Sequence, residues 1–334
     1  MSCDAARTLG SQLVKLSCLQ RLDLRYNKIS AEGMKSLGPY IAHIKSIQQL
    51  DISGNVFSCE GMEFLAPYLA QLASIQQLHL FSTHIGGAGV VSLGLILAHL
   101  KSIRLLDISR NLIRDDGVQL LGPNLEHLTS IQHLDLSGNY IGSKGAESLG
   151  PHLAHLASIQ HFDLSNNRIG ALGAESLGPH LALLKSIRCL NLRCNKIGAD
   201  GIRSLGPHLA LLTSIQHLDL SGNPFGADGF QSLGPQLTHL TSIKKLCLSG
   251  TIFDAKCAKS LGPHLRVLQS IEYLDIGHNN IYDDGIKALA PHLAQLTCIQ
   301  HLDLTCTSIG ADVMEEVQPH LAHVRRIELD DEEF

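Results

Sequence analysis

Apolar residues return along this chain at a fixed step of 28 positions. Beginning at Leu22-Asp23-Leu24, an apolar-polar-apolar triplet recurs at Leu50-Asp51-Ile52, Leu78-His79-Leu80, Leu106-Asp107-Ile108 and Leu134-Asp135-Leu136. It continues as Phe162-Asp163-Leu164, Leu190-Asn191-Leu192, Leu218-Asp219-Leu220, Leu246-Cys247-Leu248, Leu274-Asp275-Ile276 and Leu302-Asp303-Leu304, without one insertion. Alternation of period two predicts a short strand in each unit, its middle residue facing away from the core. An Asn column follows (Asn27, Asn55, Asn111, Asn139, Asn167, Asn195, Asn223, Asn279). An amide at a bend can bond backbone groups of its own turn and of the neighbouring coil; the exceptions, Thr83, Thr251 and Thr307, keep a hydroxyl for part of that work. Apolar residues at helical spacing come next, Met34, Leu37, Ile41 and Ile44 in the first unit, after a Gly column that starts at Gly33. A proline, usually after glycine, recurs inside this helix at Pro39, Pro67, Pro123, Pro151 and in six further units. It predicts a kink or break there, and a straighter helix in the third unit, where Leu95 takes its place.

A half-unit (Leu9, Leu13, Leu16) precedes the array and a shortened strand, Ile327-Glu328-Leu329, follows it. A single domain over 1–334 is therefore expected: 1–18 a partial unit, 19–326 eleven units, 327–334 a terminal strand and acidic tail. Length alone would suggest about two domains, but a repeat array grows by addition and does not split into separate cores. The run Leu134-Asp135-Leu136-Ser137-Gly138-Asn139-Tyr140-Ile141-Gly142, with Gly145 and Leu149, resembles the ribonuclease-inhibitor-like class of leucine-rich repeats. The resemblance covers essentially the whole chain. It implies an α/β horseshoe solenoid with a parallel sheet on the concave side and helices on the convex side. Members of that class include ribonuclease inhibitor, the GTPase-activating protein of Ran, tropomodulin, innate immune receptors and bacterial effectors. The uniform step departs from ribonuclease inhibitor, whose units alternate in length, and argues against a ribonuclease target.

Composition narrows the function classes. Hydrophobic residues make up 44% of the 334 positions but aromatics only 4%, with no Trp, which suits many small identical layers. The net charge of −5 and the lack of long Lys/Arg runs disfavour nucleic acid. No apolar run approaches a membrane span and the N-terminus lacks the regions of a secretory signal. Nine scattered cysteines without CxxC pairs argue against a disulfide framework and against zinc. A reducing cytosol, the cell's own or a host's, is the simplest setting, and neither cofactor nor metal is expected.

Candidate chemistry lies on the strand face. An acidic column (Asp23, Asp51, Asp107, Asp135, Asp163, Asp219, Asp275, Asp303) repeats through the array, with His133, His161, His217 and His301 two residues upstream of their Asp. It is either a strip for a basic partner or a feature that supports the sheet; neighbouring carboxylates roughly 4.8 Å apart repel, so something should offset them. His133, Asp135 and Ser137 imitate a hydrolase triad, but the trio recurs at His161 and at His217 on open strands, which speaks against catalysis. Histidines after the helix proline, such as His152, His208 and His292, are expected to be solvated rather than a metal ladder. Positions where a unit breaks its own rule are more informative: Arg25, Tyr26, His79, Phe81, His84, Arg110, Tyr140, Arg193, Tyr273 and His278. Aromatics and Arg dominate binding hot spots. Together with Asp135, Asp163 and Asp219 they form the expected partner surface. Protein–protein recognition through the concave face and turn-side rim, with a partner of basic character, is the expected function. The alternatives are a GTPase activator for a Ran-like protein, with Arg110 and Arg193 as candidates, or the sensing region of a larger receptor or effector.

Overall fold

The computed structural model describes residues 3–329; the acidic tail Asp330-Asp331-Glu332-Glu333-Phe334 lies outside the described residues. The chain divides into two compact units at Asn167 and Arg168. In the first, six strands of three residues pair in parallel in chain order: β1 Arg21–Asp23, β2 Gln49–Asp51, β3 Gln77–His79, β4 Leu105–Asp107, β5 His133–Asp135 and β6 His161–Asp163. The second repeats the plan with β7 Cys189–Asn191, β8 His217–Asp219, β9 Lys245–Cys247, β10 Tyr273–Asp275, β11 His301–Asp303 and β12 Arg326–Glu328. Each residue pairs with its counterpart one repeat on, Leu106 with Leu134 and Leu218 with Leu246. The last pair alone shortens the step: Leu302 meets Ile327, a coil of 25 residues (327 − 302) instead of 28. The strands close on the column of Asp rather than centring on it.

Period-two alternation puts Leu134 and Leu136 inside, and helical spacing adds Leu149, Leu153, Leu156 and Ile159, all at most 1% exposed. One coil cannot enclose these side chains by itself; the coils stacked before and after it do. Each such side chain contributes roughly 1.5–3 kcal/mol on burial. The Gly column answers to crowding at the helix entry, where a Cβ on Gly145 would lie 2.8 Å from Ile141.

The proline expectation needs correction. Pro39 stands in the last turn of the helix Ala31–Ile41, Pro179 in that of Gly170–Leu181, and both helices run through it as α-helix. So late in the helix, the missing N–H costs one terminal bond and the ring meets only a short remainder. The helix Gly86–Leu97, with Leu95 instead, ends at the equivalent residue. Breaks occur in two coils, where Arg114–Leu121 and Ser143–Leu149 hand over at Gly-Pro to the 3-10 turns Gly122–His127 and Gly150–His155. Proline is common to both kinds of helix, so it is not what decides between them.

The Asn column ties one coil to the next. Asn139 Oδ1 accepts the N–H of Asn111 (2.8 Å) and of Ile113 (3.4 Å), while Nδ2 donates to Ile108 O and Leu136 O, both at 3.0 Å. Asn223 does the same in the second unit, with Asn195, Ile197, Leu192 and Leu220. Both side chains are fully buried. The substitute Thr83 places its hydroxyl 2.9 Å from Leu80 O and from Asn111 Oδ1, and Thr251 reaches Leu248 O at 2.7 Å.

Candidate partner-binding surface

The acidic column has an architectural duty in both units. The Oδ1 of Asp51, Asp107, Asp135 and Asp163 accepts the backbone N–H of the Ser two residues on, at 2.8–3.1 Å. In the second unit Asp219, Asp275 and Asp303 accept from Ser221, Gly277 and Thr305 at 2.9–3.0 Å. A carboxylate in this position fixes the turn that ends the strand, as an Asx turn does. Asn191, which replaces Asp, holds the N–H of Arg193 at 3.0 Å in the same way.

Charge along the column is offset locally. Arg25 bridges Asp23 at 2.7 Å and Asp51 at 3.3 Å, and its hydrogen bonds hold the Asp23 carboxyl down at about 2. His79 stands 3.8 Å from Asp107. Burial would raise the Asp107 carboxyl, but hydrogen bonds from His79 and Ser109 outweigh it and leave its pKa low. Asp135 goes the other way. Burial, with Asp163 and Asp107 adding repulsion, pushes it up to about 6 against the bonds from Ser137. Upstream, His133 lies stacked on His161, ring centroids 3.7 Å apart, and burial lowers its pKa. The trio that imitated a triad is thus a turn beside a stack: His133 faces His161, and Asp135 holds the N–H of Ser137.

Immediately after the Asp turn the backbone enters the left-handed region. Gly54 (φ 68°) and Gly138 (φ 65°) adopt it without a Cβ penalty, but Tyr26 (φ 56°), Arg110 (φ 52°) and His278 (φ 50°) occupy the same position. Two residues further on, a second left-handed column contains His84 (60°), Leu112 (59°), Tyr140 (58°) and Ile252 (62°). Both columns stand on the turn-side rim. The side chains there are large and open to solvent: Tyr26 is 67% exposed, Val56 58%, Leu112 41%, Tyr140 45%. Exposed His84 stands in the coil between Val56 and Leu112, so successive coils of the first unit present a row of apolar and aromatic side chains.

Other expected site residues fall into small groups. Phe81 is half-buried beneath the guanidinium of Arg110, 5.5 Å from its ring centroid. Tyr26 lies over the next coil, where a Cβ on Gly54 would be 2.3 Å from its ring. In the second unit Tyr273 has Lys245 Nζ 4.4 Å above its ring and His301 edge-on at 4.6 Å. Burial and nearby carboxylates push its phenol up to about 12. Beside it, Glu328 meets Arg326 at 2.6 Å and His301 at 3.1 Å. Arg193 and His278 are exposed and Asp219 half-buried. Val56, Leu112, Ile252 and Lys245 were not singled out from the sequence. The glycines at 54, 138, 222 and 250 mark a left-handed turn, but the residue two positions on points outward while the one three positions on (Phe57, Ile141, Phe225, Phe253) is buried, so the hydrophobic pattern alone does not separate them.

The helix histidines are packed rather than merely solvated. A Cβ on Gly122 would lie 2.5 Å from the His152 ring, and the same holds for Gly178 against His208 and, at 2.4 Å, Gly262 against His292. Burial lowers the pKa of His152 and His292. Among the described residues no group of three or more His, Cys, Asp or Glu could hold a metal, and no helix is long and apolar enough to cross a membrane.

A family model described as a leucine-rich repeat matches residues 15–38, 43–66, 71–94, 99–122, 127–150, 155–178, 184–206, 212–234 and 267–290. Among solved structures, a leucine-rich-repeat protein of Leptospira interrogans is similar at 18% identity, covering 96% of this chain and 98% of that one with a TM-score of 0.35. No curated protein matches the chain.

Proposed function

The chain belongs to the leucine-rich-repeat family, and from that premise we propose that it is a protein-recognition module whose partner docks on the strand face and turn-side rim. The observation that carries this function is the rim row of the first unit, Tyr26, Val56, His84, Leu112 and Tyr140. Large side chains there stand in solvent, and all but Val56 have a backbone with positive φ at or beside them. An exposed apolar row of this kind marks an interaction site more often than chance surface, and Tyr with Arg110 supplies the anchors that binding surfaces favour.

The partner has basic character on the side that meets the strand face. Asp163 in the first unit and, separately, Asp219 in the second each supply a local negative field, which acts on encounter more than on final affinity. Asp135, with its raised pKa, contributes fully only above about pH 6. In the first unit Arg25 and Arg110 add contacts at the margins.

Paired baits test the proposal. A rim variant (Leu112→Ser with Tyr140→Ser) should lose at least about tenfold of a partner's retention, equivalent to 1.4 kcal/mol. A helix-face variant, Leu172→Ser, should retain it. Equal retention by the rim variant, or loss with the helix-face variant, would overturn the assignment.

A further inference from the structure

On the opposite edge of the first unit, where helices return to strands, lies a cavity of about 460 Å³ lined by Lys101, Ser102, Arg104, Thr129, Ser130 and Ser158, with Gln76 and Gln132 at its wall. We propose that this cavity binds an oxyanion of the phosphate or sulfate class, held by Lys101 and Arg104.

The lining is all donor-capable and includes no carboxylate, in a chain whose net charge is −5. Neither cationic side chain makes an ion pair or hydrogen bond among the described residues. Other cations of the chain are engaged: Arg25 with Asp23, Arg203 with Asp200, Lys244 with Glu272, Lys287 with Glu316. Lysines at the position of Lys101 in other coils are tied down as well, Lys45 to Gln71 O and Lys185 to Leu211 O, both at 3.4 Å.

The scaffold beneath the two cations is fixed. Arg104 and Leu105 donate their N–H groups to Gln76 O at 2.7 and 3.0 Å, and Arg104 O accepts from Gln132 and His133 at 2.8 and 2.9 Å. The Arg104 stem therefore leaves a rigid ladder. A tetrahedral oxyanion matches this donor set: it takes the guanidinium fork, the ammonium and rotating hydroxyls at once. Ser158, whose hydroxyl bonds Thr129 O at 3.3 Å, closes the far side.

The repeat also argues that these residues are not needed for folding. Position 104 is Gln in most coils (Gln20, Gln48, Gln76, Gln132, Gln160, Gln216, Gln300), and position 101 is Thr in four (Thr129, Thr213, Thr241, Thr297). Arg104→Gln and Lys101→Thr thus restore the chain's own pattern.

Amide NMR of the full chain, titrated with sodium phosphate against sodium chloride at matched ionic strength, tests the site. Expected are saturable shifts at 101–104 and 129–132, weakened about tenfold or more in Lys101→Thr/Arg104→Gln, whose melting curve stays that of the parent. Glycerol 3-phosphate forms a second arm. If it saturates tighter than inorganic phosphate, the cavity takes the phosphate of a larger molecule; equal affinity assigns the free oxyanion. Shifts that rise without saturation for both ligands, or that persist in the double variant, would overturn the proposal. Should the double variant unfold, Arg104→Gln alone decides by the same criteria.

Discussion

The two units follow one plan and differ at their rims. Both have strands closed by Asp on a backbone N–H, a ladder of buried Asn, and a core of Leu and Ile. In the first unit the second rim column reads Lys28, Val56, His84, Leu112, Tyr140; in the second it reads Arg168, Lys196, Pro224, Ile252, Asn280, Ser308, with positive φ at Lys28, His84, Leu112, Tyr140, Lys196, Ile252 and Ser308. One rim is mostly apolar and aromatic, the other mostly polar. The fold constrains every position that faces inward or closes a turn, and leaves the rim to vary. Where it varies toward large exposed apolar side chains, packing does not explain the choice, and the proposed partner site would.

The largest effect should be blind to this difference. Asn139→Ala and Asn223→Ala each remove bonds to four buried backbone groups. At about 1 kcal/mol per bond, roughly 3–4 kcal/mol of stability should be lost in urea denaturation. Asn139→Thr should cost less, about three quarters as much, because Thr keeps the one backbone bond that Thr83 and Thr251 make. A loss confined to one unit would mean that the two ladders are not equivalent after all.

Next in size is the effect that separates the units. Leu112→Ser and Tyr140→Ser should each weaken a partner's binding by about tenfold to a hundredfold, or 1.4–2.8 kcal/mol. Ile252→Ser, the nearest equivalent in the second unit, should change it by less than about threefold. Calorimetric titration against an identified partner would check both. Similar losses in the two units would remove the distinction drawn from the rims.

Asp135 tests the strand face of the first unit. Its carboxyl titrates at about 6 in the folded chain against an ordinary 3.8. The native state therefore binds the extra proton between those values, and stability falls as pH rises from about 4 to 6. Asp135→Asn keeps an acceptor for the Ser137 N–H and removes the charge. It should raise stability at pH 7 by about 1–3 kcal/mol, a gain that vanishes as pH falls below 4. His133, with its lowered pKa, pulls the other way below its ordinary 6.5, since the unfolded chain takes that proton more readily. Comparing variant with parent cancels the histidine. Asp219→Asn makes the matching change in the second unit.

Most of the fold was legible in the sequence because a 28-residue period repeats each inward position eleven times. Strands, turns and the Asn ladder all follow from that redundancy; the terminal strand, expected at Ile327–Leu329 and found at Arg326–Glu328 after a step of 25, lies outside it. Proline misled because its place within the helix depends on where the helix ends, and Pro39 stands two residues before the last helical residue, Ile41. Of the candidate site, Tyr26, His84, Arg110 and Tyr140 were legible as departures from the repeat. Val56 and Leu112 were not, because an apolar residue beside a strand looks like core until the turn's left-handed backbone shows which way it points. The helix histidines were misjudged for a related reason: their packing surface is a glycine on the preceding helix, and a missing side chain leaves no mark in a hydrophobic pattern.

The smallest effect concerns the strained turns themselves. Arg110 and His278 occupy a position that Gly54 and Gly138 fill at no steric cost. A left-handed backbone costs a non-glycine residue about 1–2 kcal/mol, and a glycine gives back roughly 0.5–1 kcal/mol through the freedom it adds to the unfolded chain. His278→Gly should therefore be stabilising by about 0.5 kcal/mol. Arg110→Gly gains as much but forfeits the guanidinium over Phe81, about 0.5–1 kcal/mol at an exposed site, and should come out near zero. Urea midpoints at constant slope would resolve the two. Were His278→Gly to destabilise by more than 1 kcal/mol, positive φ at the rim would be no strain, and the backbone would lose its value as a marker of side chains kept for binding. If both variants behave as expected and only Arg110→Gly weakens the partner, the first unit's rim holds a strained side chain for contact while the second merely tolerates one.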